Sequence, residues 1–552
     1  MKLLRLTLFA ALAAVLGSGC DKSSAPASPQ TVPFSLASQT VAHLHWLGKK
    51  QLAAATNAAA FMRIWGEPES AALEKQTLDK LATAPWRLLP HVPTTNPAAA
   101  PLLRPLLDDC VQRESYLEIR AATNQPGEIA FAIRLPADRA ALWQTNLAAV
   151  LESLTGLQTE NSKQETRNSP LPTGWSLKKH EAPNLIELTR VGDWVVIGLG
   201  QDQNALFADF VARVLRDHSP VATASMGFWL DAGADLQSVS DAFKLGWNLP
   251  GHLSKISLQT TGEGQNVQTR GAVNFSQPLA LTLDPWNVPT NLIRGALGSF
   301  TALRGFAPWL GAQKIWNDLQ IGPAPNQFFI WSGQGVPMQT VFAAPMSDAT
   351  NRMWQITNSF MQTVNPWLET NKAGHLELPA EFPGITWVGM PFLAPYLQSR
   401  GDFLLGGFFP APVGRSGLPA DLLLAMSRTN TVYYDWEITS PRIESWFYLG
   451  QTLRITLHKA QLPASPALDW LQANTNTLGN CVTAAAQSGP DQISFIRGSS
   501  GVGLTAFELH LLADWLASPD FPAGLNTFRS QPELMRARKA ARPASAPGPT
   551  PP

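Results

Sequence analysis

The sequence has no excess of charge of either sign, because its 552 residues include 41 Lys and Arg and 41 Asp and Glu. Proteins that bind nucleic acid usually carry a basic surplus to neutralise phosphates, so we expect no nucleic acid as a partner. Charged residues make up 15% of the chain and hydrophobic residues 45%. This composition excludes disorder over most of the length and predicts buried cores.

Cysteine is also scarce, since only Cys20, Cys110 and Cys481 occur. Three cysteines exclude a disulfide-rich scaffold, and the sequence contains no paired-cysteine, His-Glu-x-x-His or Walker motif. Cys110 and Cys481 lie far apart in unrelated contexts. They are predicted to be buried free thiols, and a disulfide between them in an oxidising compartment is the alternative.

The first 19 residues have the layout of a signal peptide. Lys2 and Arg5 accompany the apolar run "LTLFAALAAVLG", which is too short for a permanent membrane-spanning helix. The small residues of "GSGC" resemble the lipobox of bacterial lipoproteins, in which the cysteine is lipidated and becomes the mature N-terminus. Cys20 is therefore the predicted lipidation site, although Gly17 stands where that pattern prefers Leu. Ordinary cleavage to a secreted protein is the alternative.

Residues 20–32 and 531–552 are predicted to lie outside the folded domains. The first segment is rich in Ser, Ala and Pro, which is typical of a flexible tether. The second is basic and then rich in Pro and Ala, which predicts a disordered tail. We expect an extracytoplasmic protein, anchored by lipid to the cell membrane and facing the periplasm. Asp21 resembles an inner-membrane retention signal, but the choice between inner and outer membrane stays open.

The body of the chain is predicted to be a duplicated α+β unit. The sequences "GDW" at 192–194 and "GDF" at 401–403 each lie between two apolar runs, which predicts a hairpin in each half. The two predicted repeats span 33–290 and 291–530. We expect two tandem similar lobes, each mainly an antiparallel sheet with helices packed on one face.

Further parts of the two halves correspond in the same way. A strand ends at Pro136 or Pro345 and a helix follows, and Trp143 and Trp354 are predicted to occupy equivalent positions on those helices. The second half opens with "SFTALRGFAPWLGAQKIWNDL", whose aromatic and apolar residues have helical spacing. We expect helix there.

The segment "VVIGLGQDQNALF" resembles the opening of a dinucleotide-binding unit, with a strand, a Gly-x-Gly turn and a helix. That fingerprint requires a third small residue, and Gln203 stands at its position. The preceding strand is also the second arm of a predicted hairpin. We therefore expect a turn glycine there, and no nucleotide or other cofactor.

His43 and His45 are the only candidate metal ligands. Residues two apart on the predicted strand "TVAHLHWLG" project to one face, a spacing that some zinc enzymes use. A metal needs a third ligand, and no further His lies in register, so two histidines on a half-buried strand face are the simpler interpretation. No catalytic residue is assigned, because "GRSGL" and "RGSSGVG" do not complete Gly-x-Ser-x-Gly.

Tryptophan is abundant, with 19 residues against 5 tyrosines. Most tryptophans lie among apolar residues and are predicted to be core. The remaining few are candidates to line a groove for carbohydrate or an apolar ligand.

The overall layout resembles the uncharacterised, internally duplicated envelope lipoproteins of verrucomicrobial bacteria. The resemblance rests on the lipobox-like start, on "HLHWLGKKQLAAATNAAAFMRIWGEPES" and on "APWRLL". It implies no activity and no catalytic residues. The leading hypothesis is a non-enzymatic, lipid-anchored binding or scaffolding protein whose partner is an envelope protein or an apolar ligand. The alternatives are an extracytoplasmic metal-dependent hydrolase using His43 and His45, and a carrier of an apolar ligand.

Replacing Cys20 with Ser should remove the lipid, since only the cysteine sulfur accepts the diacylglyceryl group. We expect the wild-type protein to partition into the detergent phase of Triton X-114 and the Cys20→Ser variant into the aqueous phase. The Cys110→Ser variant is the matched control and should partition like the wild type. Aqueous partitioning of the wild-type protein would contradict the prediction.

Overall fold

The computed structural model describes residues 39–89, 98–121, 127–161, 174–178, 185–200, 205–243, 252–318, 322–334, 339–380, 384–390, 393–409, 418–456, 464–519 and 521–522. The predicted signal peptide, Cys20, tether and C-terminal tail lie outside the described residues. Within them the chain is α+β, as predicted, and forms two compact units. The first unit consists mainly of residues up to 276 and the second mainly of residues 277–520, whereas the sequence places the boundary between 290 and 291.

Ten described strands form the sheet of the first unit. They are β1 (Gln39–Trp46), β2 (Ser115–Ala121), β3 (Glu128–Arg134), β4 (Glu160–Asn161), β5 (Gly174–Lys178), β6 (Leu185–Val191), β7 (Trp194–Gly200), β8 (Leu230–Asp235), β9 (Leu253–Glu263) and β10 (Asn266–Phe275). Their order across the sheet is β4-β5-β6-β7-β3-β2-β1-β8-β9-β10. Neighbouring strands are antiparallel at every step of this order from β4 at one end to β9.

Helices cover both faces of this sheet. They are α1 (Lys49–Ala54), α2 (Ala59–Trp65), α3 (Pro68–Leu88), α4 (Ala100–Gln112), α5 (Ala137–Thr155), α6 (Ala205–Asp217) and α7 (Leu236–Ala242). Helices α3, α4 and α5 share one core with Ile133 and Val195, and α6 shares another with the adjacent Ala132 and Val196. The prediction of helices on one face is wrong, because neighbouring residues of the central strands are apolar on both sides.

The second unit has the same strand order as the first, with each strand number raised by ten. Its strands are β11 (Leu297–Arg304), β12 (Gln327–Gly333), β13 (Thr340–Pro345), β14 (His375–Glu377), β15 (Gly384–Val388), β16 (Tyr396–Arg400), β17 (Phe403–Gly407), β18 (Thr431–Ile438), β19 (Asn480–Gly489) and β20 (Gln492–Ser499). They are arranged β14-β15-β16-β17-β13-β12-β11-β18-β19-β20, all antiparallel. The duplication itself stays a prediction.

The helices of the second unit differ more from those of the first. They are α8 (Ala307–Gly311), α9 (Lys314–Asp318), α10 (Ala349–Thr363), α11 (Asn365–Thr370), α12 (Ala420–Met426), α13 (Thr439–Thr456), α14 (Pro466–Asn474) and α15 (Ala506–Ala517). Helix α12 packs on one sheet face, against Phe300 and Trp331. Helix α10 packs on the other face, against Leu404. None of the described helices of either unit is long and apolar enough to cross a membrane.

The two predicted hairpins are present, as β6–β7 and β16–β17. Gly192 and Gly401 form their turns with φ of 59° and 60°, a conformation that favours glycine. An Asp follows each of these glycines, and its backbone carbonyl accepts a hydrogen bond. The donor is the N–H of Leu135 at 2.7 Å in the first unit and the N–H of Met346 at 2.8 Å in the second. The shared turn therefore also fixes the point at which β3 and β13 end.

Two predictions for the second half are wrong. Residues 297–304 form strand β11, and only the later part of the segment predicted to be helical forms helices, α8 and α9. Consecutive residues at the start of β11 are buried, as in a strand that is covered on both faces. Trp354 is 50% exposed, whereas Trp143 is 4% exposed, so the two tryptophans are not equivalent. The buried position on α10 belongs to Met353, one residue earlier.

The predicted Gly-x-Gly turn is also wrong, because Gly198 and Gly200 lie within strand β7. A Cβ atom at position 198 would lie 2.7 Å from the side chain of Phe207 on α6. Glycine is therefore needed at 198 for the close approach of a helix to the sheet.

Substituting Gly198 with Ala should lower the free energy of unfolding by about 1–3 kcal/mol, because Phe207 must move. Gly498→Ala in β20 is the matched control, since a Cβ atom there meets nothing within 4 Å. We expect the control to change stability by less than about 0.5 kcal/mol. Urea denaturation followed by circular dichroism measures both, and equal effects would refute the packing explanation.

Candidate functional site

His43 and His45 lie on the same face of β1, as strand alternation requires, but each contacts a different carboxylate. His43 Nε2 lies 3.2 Å from Oδ2 of Asp231 on β8. The ring packs over Gly233, where a Cβ atom would lie 2.6 Å from the ring. Burial opposes ionisation of Asp231, but hydrogen bonds from His43 and Ser225 bring its pKa below the ordinary value.

His45 is 2% exposed and has oxygen atoms next to both ring nitrogens. Nδ1 donates to the carbonyl of Ser225 at 3.1 Å, and Nε2 lies 3.3 Å from Oε1 of Glu114. Neither nitrogen presents a lone pair toward open space, which a metal ligand must do. Among the described residues no group of three or more His, Cys, Asp or Glu side chains is arranged to hold a metal ion.

Glu118 on the neighbouring strand β2 is also fully engaged. It accepts hydrogen bonds from Thr40 at 2.8 Å and from Arg120 and Arg213 at 2.9 Å each. Burial opposes its ionisation, but the charge of Arg213 and the hydrogen bond from Thr40 lower its pKa. The carboxylates on this face thus act as partners for neighbouring side chains, which is the arrangement of a structural network.

A carboxylate also occupies the N-terminus of α6, where a dinucleotide-binding unit would hold a phosphate. Glu128 accepts from the backbone N–H of Ala205 at 3.1 Å and of Leu206 at 3.3 Å. These are the groups that bind anions at a helix N-terminus. Residues 201–204, including Gln203, lie outside the described residues.

A second group of charged side chains lies in the second unit, and no sequence motif predicted it. We call it the Glu437 cluster; its members are Asp435, Glu437, Arg442, Arg497 and Glu508. Asp435 and Glu437 stand two residues apart on β18, so both project to the same face of the sheet. The other three members come from α13, β20 and α15.

Short hydrogen bonds hold the carboxylates of this cluster. Thr301 donates to Asp435 at 2.6 Å, and the backbone N–H of Ala506 donates to Glu437 at 2.6 Å. Arg497 binds Glu508 through two parallel hydrogen bonds of 2.7 and 3.0 Å. Such bidentate pairs fix side-chain orientation as well as charge.

The Glu437 cluster contains three carboxyl groups and two guanidinium groups, so one negative charge is unbalanced when all are ionised. Burial, followed by repulsion from Asp435, raises the pKa of Glu437 to about 7. Burial also raises the pKa of Asp435, against the hydrogen bond from Thr301. Glu437 therefore binds a proton near neutral pH. It is 3% exposed, so it cannot contact a dissolved substrate without rearrangement.

The two cysteines of the described residues are free, as predicted. Burial raises the pKa of both thiols to about 12. At Cys110 the negative charge of Asp109 contributes to the increase. Thiols of this kind are unreactive because the thiolate is the nucleophile.

Replacing Glu437 with Gln should flatten the pH dependence of stability. Because the folded-state pKa lies above the unfolded value, the wild-type side chain stabilises the fold at low pH, and this contribution is lost as the pH rises through 7. Between pH 5 and pH 8 we expect the free energy of unfolding to fall by about 2–3 kcal/mol more in the wild type than in the variant. Urea denaturation at the two pH values measures the difference, and Glu444→Gln on the exposed side of α13 should behave like the wild type.

No protein-family model matches the chain, and no curated protein sequence matches it. A solved structure titled "Structure of crystal form III of TP0453" is similar over 48% of this chain and 79% of its own, at 8% sequence identity and a TM-score of 0.21. A TM-score this low supports no inference about fold or function.

Proposed function

We propose that the protein is a lipid-anchored extracytoplasmic binding or scaffolding protein without catalytic activity, and that its binding surface lies on the second unit. The distribution of exposed large apolar side chains supports this proposal most strongly. Fifteen such side chains are exposed among the described residues, and only Leu102, Leu215 and Met226 belong to the first unit. The other twelve are Trp309, Trp354, Trp367, Leu378, Val388, Leu423, Leu424, Phe447, Tyr448, Ile455, Ile496 and Phe507.

The two units differ in exposure because they differ in their helical cover. In the first unit, α4 packs on α5, and the indole N–H of Trp143 donates to Asp109 at 2.9 Å. The described residues between β11 and β12 form only the short helices α8 and α9, and Trp354 on α10 is half exposed. Concentrated exposed apolar side chains are typical of interaction surfaces.

The hydrolase alternative has less support. It needs an open coordination position beside His43 and His45, and both rings are instead held by carboxylate or carbonyl oxygens. A metal enzyme would also need a third ligand close to this pair.

Site-specific photo-crosslinking in cells tests the proposal. We expect p-benzoylphenylalanine at positions 354 and 367 to give discrete adducts, because Trp354 and Trp367 are about half exposed on the second unit. Position 215 is the matched control, since Leu215 is 67% exposed on the first unit. Adducts of equal yield at all three positions, or none at 354 and 367, would refute a binding surface on the second unit.

A further inference from the structure

Helix α13 exposes large apolar side chains and buries several polar and charged ones. Phe447, Tyr448 and Ile455 are 36%, 48% and 44% exposed. The buried residues include Ile443 and Leu449, but most are polar or charged: Thr439, Arg442, Ser445, Thr452, Arg454 and Thr456. A surface helix of a soluble protein normally shows the opposite pattern.

Helix α15 adds one exposed ring, Phe507, which lies 5.0 Å from the partly buried ring of Trp446 on α13. The exposed rings of Phe447 and Tyr448 lie 5.9 Å apart. We call the four exposed side chains Phe447, Tyr448, Ile455 and Phe507 the aromatic patch.

Very little charge accompanies the aromatic patch. Glu444 is the one exposed charged side chain on the described part of α13, and Phe507, at 45%, is the one exposed residue of α15. A surface of this kind gains free energy from burial of apolar area and not from attraction to ions or phosphates.

Buried charges fix the orientation of α13. Arg442 stacks over the ring of Trp446 at 4.8 Å and faces the carboxylates of the Glu437 cluster. Arg454 lies 3.4 Å from Asp514 on α15, and both side chains are almost completely buried. Turning the aromatic residues inward would expose or separate these pairs, which the fold resists because an unpaired buried charge is strongly unfavourable. The aromatic patch therefore faces solvent in the folded protein.

We propose that the aromatic patch rests on the surface of a lipid bilayer. This inference deepens the proposed function and depends on its lipid anchor. Aromatic side chains such as Tyr favour the boundary between lipid headgroups and acyl chains. Only residues 20–38 separate the predicted lipid at Cys20 from β1, and such a segment spans at most about 65 Å. The anchor thus holds the folded body at a high effective concentration near the bilayer.

Vesicle co-sedimentation tests this proposal with the full mature chain carrying Cys20→Ser, so that the anchor makes no contribution. We expect binding to neutral phosphatidylcholine vesicles that changes little with salt, since the aromatic patch is nearly uncharged. The triple variant Phe447→Ser, Tyr448→Ser, Phe507→Ser should lower the partition coefficient at least tenfold. The matched control replaces Leu102, Leu215 and Met226 of the first unit with Ser and should bind like the parent.

A fluorescent label keeps the test valid if the triple variant folds poorly. Cys481 is buried, Cys110 is partly buried, and the pKa of both thiols is raised to about 12, so a cysteine introduced by Tyr448→Cys can be labelled selectively at neutral pH. An environment-sensitive dye at this position should shift its emission to the blue on addition of phosphatidylcholine vesicles, and the same dye on Leu215→Cys should not.

The other outcomes separate this proposal from the proposed function. If vesicles have no effect on sedimentation or emission, the bilayer proposal is wrong. A dimer in light scattering that the triple variant abolishes would then identify a second copy of the chain as the occupant, and the binding function would stand. Binding only to anionic vesicles, abolished by salt, would also overturn insertion by apolar burial. Absence of vesicle binding together with absence of the photo-crosslinks would refute both proposals.

Discussion

Burial of both faces of the central strands is the constraint on which each unit depends. Strands β3 and β7 alternate between the core formed with α3, α4 and α5 and the core formed with α6. Most positions of these two strands are buried, so an unpaired polar group there would be unfavourable. Buried polar side chains on the other strands meet the same requirement, and His45 and Glu437 each have hydrogen-bond partners.

The two networks are not copies of one site. In the first unit, His45 is opposite Tyr116 and Asp231, and Tyr116 stacks on Phe210 of α6. In the second unit, Asp435 lies on the sheet face away from α12, because its neighbour Trp436 packs in the core that α12 covers. A catalytic centre inherited through duplication would occupy the same face in both units. The different placement favours independent structural roles and agrees with a binding function located elsewhere.

Local sequence rules predicted the parts of the fold that local physics controls. Gly192 and Gly401 identified the hairpins because the turn requires a positive φ, and the period of two placed His43 and His45 on one face. The same rules failed for 297–304, because a strand buried on both faces lacks the alternation that distinguishes it from a helix. They also failed for the Glu437 cluster.

Part of that cluster was visible in the sequence. The alternation of Asp435 and Glu437 within the apolar strand "YYDWEI" was a signal of buried carboxylates. Their partners Arg497 and Glu508 lie on β20 and α15, and only the tertiary fold brings these elements to β18. The exposed apolar residues of α13 could not be predicted either, because polar and apolar residues show almost no helical segregation along this segment of the sequence.

The two free thiols set a condition on the biogenesis of the chain. Cys110 and Cys481 are held in separate units, and neither is bridged in the folded protein. Desolvation in the folded protein raises the pKa of both thiols, so they are more reactive while the chain is unfolded. If the chain matures in an oxidising compartment, its folding competes with disulfide formation.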